Sequence, residues 1–374
     1  MAQQSAVEFQ PVSPSGAAIG PPTVQSGELL HIDMTRFIAS FGIVLVHSLE
    51  FFGTGPGRTF IQQRFAGLAL FVDVFFVISG FIISFVYSGR VRTAAEYGAF
   101  MQRRFGRLLP LHWAMLLVWI AVILALWGAA VPMKHTMSLH PACLWTGALL
   151  LHSFVNCGGI VPNGVSWSLS AELMMYLCFP LFSLLQRRSV TAWGGAAVAL
   201  AIALAVAPLD RWNNYVSVLR ALAPFLIGMA AYRDRVVLAR IGQTSWLLWA
   251  ALAAFVLAGP LGFPVLMQLP LAYAIALLAI AADLAGRTSA AVRWVSPLGQ
   301  LTYSMYMIHP LLVMIVMNAV GDKLLHLTGA PMAVLALITY AAIMALSVLS
   351  FRLFETPARR WIDRVPLFPR PART

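Results

Sequence analysis

Apolar runs of about twenty residues, the length a helix needs to cross roughly 30 Å of hydrocarbon, recur along this chain. They fall at 34–52, 66–88, 108–131, 166–186, 190–209, 216–232, 244–260, 264–283, 298–320 and 330–353, and they predict ten transmembrane helices. A shorter run, LWTGALLLHSF from Leu144 to Phe154, lies between the third and fourth and reads as a re-entrant or interfacial piece. The fold class is an all-α, polytopic membrane bundle.

The polar stretches between the runs set the orientation. One set of loops holds Arg90, Arg92, Arg103, Arg104, Arg107, Arg187, Arg188, Arg233, Arg235, Arg240, Arg287 and Arg293, and continues after the tenth run with Arg352, Arg359, Arg360, Arg364, Arg370 and Arg373. The opposite set has only Arg58, Arg64, Lys134, Arg211 and Lys323. Basic loops stay cytoplasmic, so both termini are expected inside, although residues 1–33 carry no Lys or Arg. Residues 1–30, rich in Pro, Gly, Ser and Gln, read as a disordered cytoplasmic tail, residues 31–358 as the membrane domain and 359–374 as a basic tail. The tail lacks a basic segment before an apolar core, so the first span is expected to remain as an uncleaved anchor.

Composition agrees with a lipid solvent. The chain is 60% hydrophobic and 10% charged, against about 25% charged residues in soluble domains. Its net charge of +12 collects between spans, which is a topology signal and argues against nucleic acid. Cys143 and Cys157 share an outer loop and form a candidate disulfide without C-x-x-C spacing, while Cys178 reads as a small buried residue.

Chemistry enters with ionisable groups at membrane depth, which are costly and usually face a cavity. In RFIASFGIVLVH, Arg36 and His47 are eleven positions apart, hence on one helix face and separated by about 16 Å of rise. Snorkelling accounts for Arg36 and helix packing for His47, unless other polar groups meet them. Asp73 in FVDVFFVISGFIIS and Glu172 in VSWSLSAELMMY fall at a depth similar to His47, so the three are expected in one layer, either as a proton relay or as an imidazole general base supported by carboxylates. No G-x-S-x-G elbow and no metal-ligand spacing among the histidines is present. RRFGRLLP, Arg103 to Pro110, stands just before the third span, where Arg104 and Arg107 serve as topology signals or as forks for phosphate. Ser79 and Gly80 permit close backbone approach to a helix or a ligand. Trp167 and Ser168 are candidates for a pocket at the start of the fourth span, and Tyr303, Tyr306 and His309 share one face of the ninth.

The ordered set RFIASFGIVLVH, FFVISGFIIS, RRFGRLLP, WSLSAELMMY and LGQLTYSMYMIHPLL, with a weaker echo in FRLFETPARRW, resembles the membrane acyltransferase 3 family across nearly all of the spanning region. The resemblance implies a ten-helix integral membrane O-acyltransferase of the bacterial inner membrane, in a stand-alone form without a hydrolase-like domain. It implies acyl-coenzyme A, in the first instance acetyl-coenzyme A, as co-substrate, with no bound cofactor or metal. The acceptor is a hydroxyl of a sugar-containing compound such as an exopolysaccharide, lipopolysaccharide or oligosaccharide precursor. His47 takes the family's catalytic position with Arg36 as its paired basic residue, and Glu172 and Asp73 are the supporting catalytic candidates. Arg36, Arg104, Arg107, Ser79, Tyr303 and His309 are the donor-binding candidates, and Trp167 and Ser168 the acceptor-binding ones. The competing class is a proton-coupled transporter of sugars or small acids, which would be expected to show related halves that this chain lacks.

Overall fold

The computed structural model describes residues 28–53, 55–128, 139–154, 162–186, 188–206, 215–242, 246–286, 288–365 and 367. Residues 1–27, Cys157 and most of the chain after Val365 therefore lie outside the description, and with them most of the expected tails. Cys143 is held in a disulfide.

Among the described residues all regular structure is helical. The elements are α1 (Leu30–Ser48), α2 (Gly55–Phe65), α3 (Phe71–Tyr87), α4 (Ala94–Gly128), α5 (Pro141–Ala148), α6 (Trp167–Leu185), α7 (Ser189–Val206) and α8 (Tyr215–Arg233). They continue with α9 (Arg235–Ile241), α10 (Trp246–Ala258), α11 (Val265–Ala285), α12 (Ala290–Val295), α13 (Thr302–Leu312), α14 (Gly329–Ser350) and α15 (Thr356–Arg364).

Each of the ten expected positions holds helix, but only seven helical stretches among the described residues are long and apolar enough to cross a membrane. These are Leu30–Phe51, Gly55–Tyr87, Ala94–Gly128, Gly164–Leu185, Val265–Ala285, Ala290–Leu324 and Gly329–Arg364. The other three positions fall on α7, whose described apolar stretch is Ser189–Leu204, on α8, and on α10, which follows α9 at a bend of 85° and makes an eighth candidate if that pair is one broken span.

The third span also begins earlier than its hydropathy indicates. A reciprocal cap starts α4: Glu96 Oε2 accepts from the Arg92 and Thr93 N–H groups at 2.9 Å, and Thr93 Oγ1 accepts from Glu96 N at 3.2 Å. From there α4 continues through Pro110, so RRFGRLLP is helix rather than a loop before one. Arg104 and Arg107 consequently project from a packed element toward its neighbours.

Two tertiary devices fix the helices that carry the site. Asp283 of α11 caps the start of α1, accepting from His31 N at 2.8 Å, Ile32 N at 2.9 Å and His31 Nδ1 at 2.8 Å. These satisfy donors that a helix N-terminus leaves open. The second device is the contact of α3 with α8, where a Cβ on Gly80 would stand 2.0 Å from the Phe225 carbonyl oxygen and one on Gly228 2.0 Å from that of Val77. Only glycine allows two backbones so close. Of the two roles open to the Ser79–Gly80 pair, Gly80 serves helix packing, and Ser79 is left facing elsewhere.

After Pro310 the ninth span widens into a π-helical stretch, Val313–Leu324. Proline has no N–H for the carbonyl four residues back, and such defects re-aim side chains. Outside, Leu337, Ile338, Leu346, Leu349 and Leu353 leave an exposed apolar stripe suited to lipid. Exposed Trp246, Trp294 and Trp361 follow Arg240, Arg293 and Arg360 closely in sequence, as an interfacial belt requires.

Candidate functional site

Five helices, α1, α3, α4, α6 and α13, with Thr302 at the start of the last, surround a cavity of about 90 Å³. That volume is several times what one water molecule needs. Arg36, Arg104 and Arg107 line it together with one carboxylate, Glu172, and with Ser79, Ser168, Tyr303 and Tyr306. Three guanidiniums and one carboxylate line the wall, with Asp33 and Glu355 behind it within electrostatic reach of Arg36 and Arg107, so the surface that faces the cavity is the one that attracts an anion.

Each guanidinium is held differently. Arg36 donates to Asp33 Oδ1 at 3.2 Å and to Thr302 Oγ1 at 3.1 Å, which ties α1 to α13. Arg104 donates to the Tyr87 hydroxyl at 2.9 Å and lies 5.1, 5.7 and 5.8 Å from the ring centres of Tyr87, Tyr176 and Phe100. Its Nε is buried with no partner among the described residues. Arg107 has no hydrogen-bond or ion-pair partner among the described residues. A packed arginine whose donors stay unspent is a poor structural element and a good ligand for an anion.

Glu172 Oε1 accepts from Ser79 Oγ at 3.0 Å and from the Tyr176 hydroxyl. On the opposite wall Tyr303 donates to the Leu108 carbonyl. Tyr306 donates to Val165 O at 3.0 Å and accepts from Ser168 Oγ at 2.8 Å.

His47 is not on this wall. It is exposed at the end of α1, with its Nδ1 2.9 Å from Ile43 O and 3.3 Å from Nε2 of His309. His309 is fully buried, its Nδ1 3.1 Å from Met305 O, and its ring lies 5.8 Å from that of Tyr306. A carbonyl can only accept, so Nδ1 of a neutral His309 carries the proton and its Nε2 is an acceptor. Nδ1 of His47 therefore donates, to Ile43 O and to His309 Nε2. The lone pair of His47 is left at Nε2, on the exposed side. A general base has that tautomer, with a neutral imidazole where many enzymes use a carboxylate.

The expected layer of His47, Asp73 and Glu172 does not form. Asp73 pairs with buried Arg220 of α8, Oδ2 to Nη2 at 2.7 Å, and the two line a separate small cavity with Tyr273. The reason is angular: Asp73 precedes Ser79 by six residues, which turns it about 120° around α3. His309 is drawn to His47 instead of the cavity wall, and Trp167, unlike Ser168, does not line it. Residues outside the sequence reading are Tyr87, Tyr176, Thr302, Arg220 and Glu355, whose carboxylate accepts from Ser304 Oγ at 2.9 Å. Tyr176 and Thr302 stand four residues from Glu172 and Tyr306 on the same helical faces, so helical periodicity within the motifs is enough to reveal them.

Fold and site together define a polytopic helical membrane protein with an arginine-lined anion cavity and, one tyrosine away, a paired histidine. The chain belongs to the acyltransferase 3 family, whose model, described as an acyltransferase domain, matches residues 29–352. Among curated proteins it is similar to the acyltransferase MdmB of Streptomyces mycarofaciens, 28% identical over 178 residues that cover 45% of this chain and 43% of that protein. It is also similar to protein 2 in the picA locus of Rhizobium radiobacter, 27% identical over 171 residues, 44% of this chain and 82% of that protein. The match thus spans less than half the length of MdmB. No solved structure matches the chain.

Proposed function

We propose that the chain is an O-acyltransferase of the bacterial inner membrane, with ten spans and both termini cytoplasmic. It moves an acyl group, in the first instance acetyl, from acyl-coenzyme A to a hydroxyl of a sugar-containing acceptor. One observation carries the reading: three arginines from two helices converge on a cavity whose Tyr306 wall touches the histidine that holds His47.

Phosphates of the donor bind Arg107, Arg104 and Arg36, and its flexible arm runs past Tyr303 and Tyr306 toward His47. Nε2 of His47 takes the proton of the acceptor hydroxyl as that oxygen attacks the thioester carbonyl. The C–S bond breaks, and the thiolate leaves and receives the proton from His47. The imidazolium formed in between keeps its Nδ1–H on His309, which accepts and stays neutral. Ser168, which donates to Tyr306, supplies a polar contact along the path of the arm, and Glu172 one on the arginine wall. Asp73, paired with Arg220, serves the packing of α3 on α8 rather than the chemistry.

The test is thiol release from acetyl-coenzyme A by purified protein, with and without candidate sugar acceptors. His47→Ala should abolish transfer and leave the melting temperature in place. Solute flux across liposomes with no coenzyme A turnover would replace this reading with the transporter.

A further inference from the structure

A second cavity, of about 500 Å³, lies where α3, α6 and α8 end and α7 and α9 begin. It shares α3 and α6 with the arginine cavity but none of its residues. Arg233, Arg235 and Tyr232 stand on its wall. Each guanidinium gives one N–H to a backbone carbonyl, Arg233 Nη1 to Gln186 O at 3.4 Å and Arg235 Nη1 to Tyr232 O at 3.2 Å. The other donors of both forks remain available to a ligand.

Basic residues at a helix end serve topology, and that role alone asks for no cavity. Two further groups do. Ser84 is buried, and its hydroxyl has no partner among the described residues. Gln186 is buried as well; its amide nitrogen donates to Leu226 O at 3.3 Å, which fixes the orientation of the amide, and its oxygen has no partner among the described residues. Buried polar atoms without partners are rare because each loses its water for nothing.

The occupant must therefore offer an anion to the arginines, an acceptor to Ser84 and a hydrogen-bond donor to Gln186. We propose that this cavity binds a phosphodiester with a hydroxyl or ammonium group beside it, in the form of a membrane glycerophospholipid headgroup. Exposed Leu184, Leu185, Val190, Val236 and Val237 adjoin the lining residues in sequence and give acyl chains an apolar surface to lie on, which a soluble phosphate ester would not use. A choline headgroup has the phosphate but no N–H or O–H, so it leaves Gln186 unsatisfied.

The experiment uses the delipidated full chain in detergent, with melting temperature and native mass spectrometry as readouts. Phosphatidylethanolamine and phosphatidylglycerol should each raise the melting temperature and be retained, and phosphatidylcholine should do neither. Arg233→Gln with Arg235→Gln should weaken retention by about tenfold or more, as loss of charge-assisted contacts does. Ser183→Phe, which fills the cavity at a residue that makes no hydrogen bond among the described residues, should do the same while the protein alone melts as before. Equal effects of phosphatidylcholine, or full retention by the Ser183→Phe protein, would overturn the proposal. Glycerol 3-phosphate or phosphoethanolamine acting at the same concentration as the lipids would keep the chemistry and reject the lipid source.

Discussion

Replacing His309 separates the geometry of the histidine pair from mere packing. Nδ1 of His47 has two acceptors, Ile43 O at 2.9 Å and His309 Nε2 at 3.3 Å. The first belongs to the same helix and moves with it, so among the described residues His309 is what ties the imidazole to another element. In the ground state the bond joins neutral groups and is worth about 1 kcal/mol, but when His47 holds the acceptor's proton the donor is charged and the bond is worth roughly 1.5–3 kcal/mol. The surplus of about 0.5–2 kcal/mol appears only in the transition state. His309→Leu should lower kcat by roughly 2- to 30-fold and leave KM for the acyl donor unchanged.

His309→Gln is the control, because a glutamine side chain can place its carbonyl oxygen near the lost Nε2 and should retain activity within about twofold of the original. The assay is thiol release at saturating acceptor, with melting temperatures recorded for both variants. In the background of His47→Ala, His309→Leu should cost nothing more. If the leucine and glutamine variants are equally impaired at matched stability, or if the loss falls on KM for the donor, His309 binds the donor or packs the helix and the reasoning fails. If His47→Ala is itself active, the proposed base is wrong irrespective of His309.

Arg107 makes no hydrogen bond or close ion pair among the described residues, so Arg107→Ala should raise donor KM by about tenfold or more, through a lost charge-assisted contact, with little change in melting. Asp73→Asn should act in the opposite way, taking from buried Arg220 the carboxylate that it pairs with at 2.7 Å and costing up to about 3–5 kcal/mol of stability, with kcat of the folded fraction preserved. A pH-dependent loss should trace to His152 in the segment before α6, whose pKa burial pushes down from 6.5 to about 4, with the charge of nearby His112 adding to the effect. Between those values the unfolded chain binds a proton that the folded chain refuses. Stability should therefore be full above about pH 6.5 and fall by about 3 kcal/mol on the way to pH 4, as melting curves will show, and His152→Gln should flatten the decline.

Hydropathy located helix at every expected position because a lipid solvent forces backbone groups to pair within each segment. It misjudged where α4 begins, since a capping box and an amphipathic first stretch form helix without being apolar. The cavity was legible where motif residues share a face of one helix, as Tyr303 and Tyr306 do. Asp73 was not, because depth along a helix axis says nothing about angle around it, and only Arg220 on α8 decides which way the carboxylate turns. His309 shows the complementary limit: three-residue spacing sets it near Tyr306, but its partner lies on α1, 262 positions away.

One consequence of the site's layout limits the kind of donor that can work. Arg36 and His47 are carried by the same continuous helix, eleven residues and so about 16 Å of axial rise apart, which keeps an anion held on Arg36 away from the proton acceptor at the exposed end. A donor whose activated carbonyl is bonded directly to phosphate would bring that carbonyl to the arginines, far from the lone pair that must deprotonate the acceptor. A thioester at the end of a long arm reaches both. Acetyl phosphate should therefore fail to support transfer at any concentration that permits acetyl-coenzyme A to do so, though it should compete weakly for the arginine cavity. Turnover with acetyl phosphate at a rate near that of the thioester would mean that the anion site and the base are not the two ends of one reaction path.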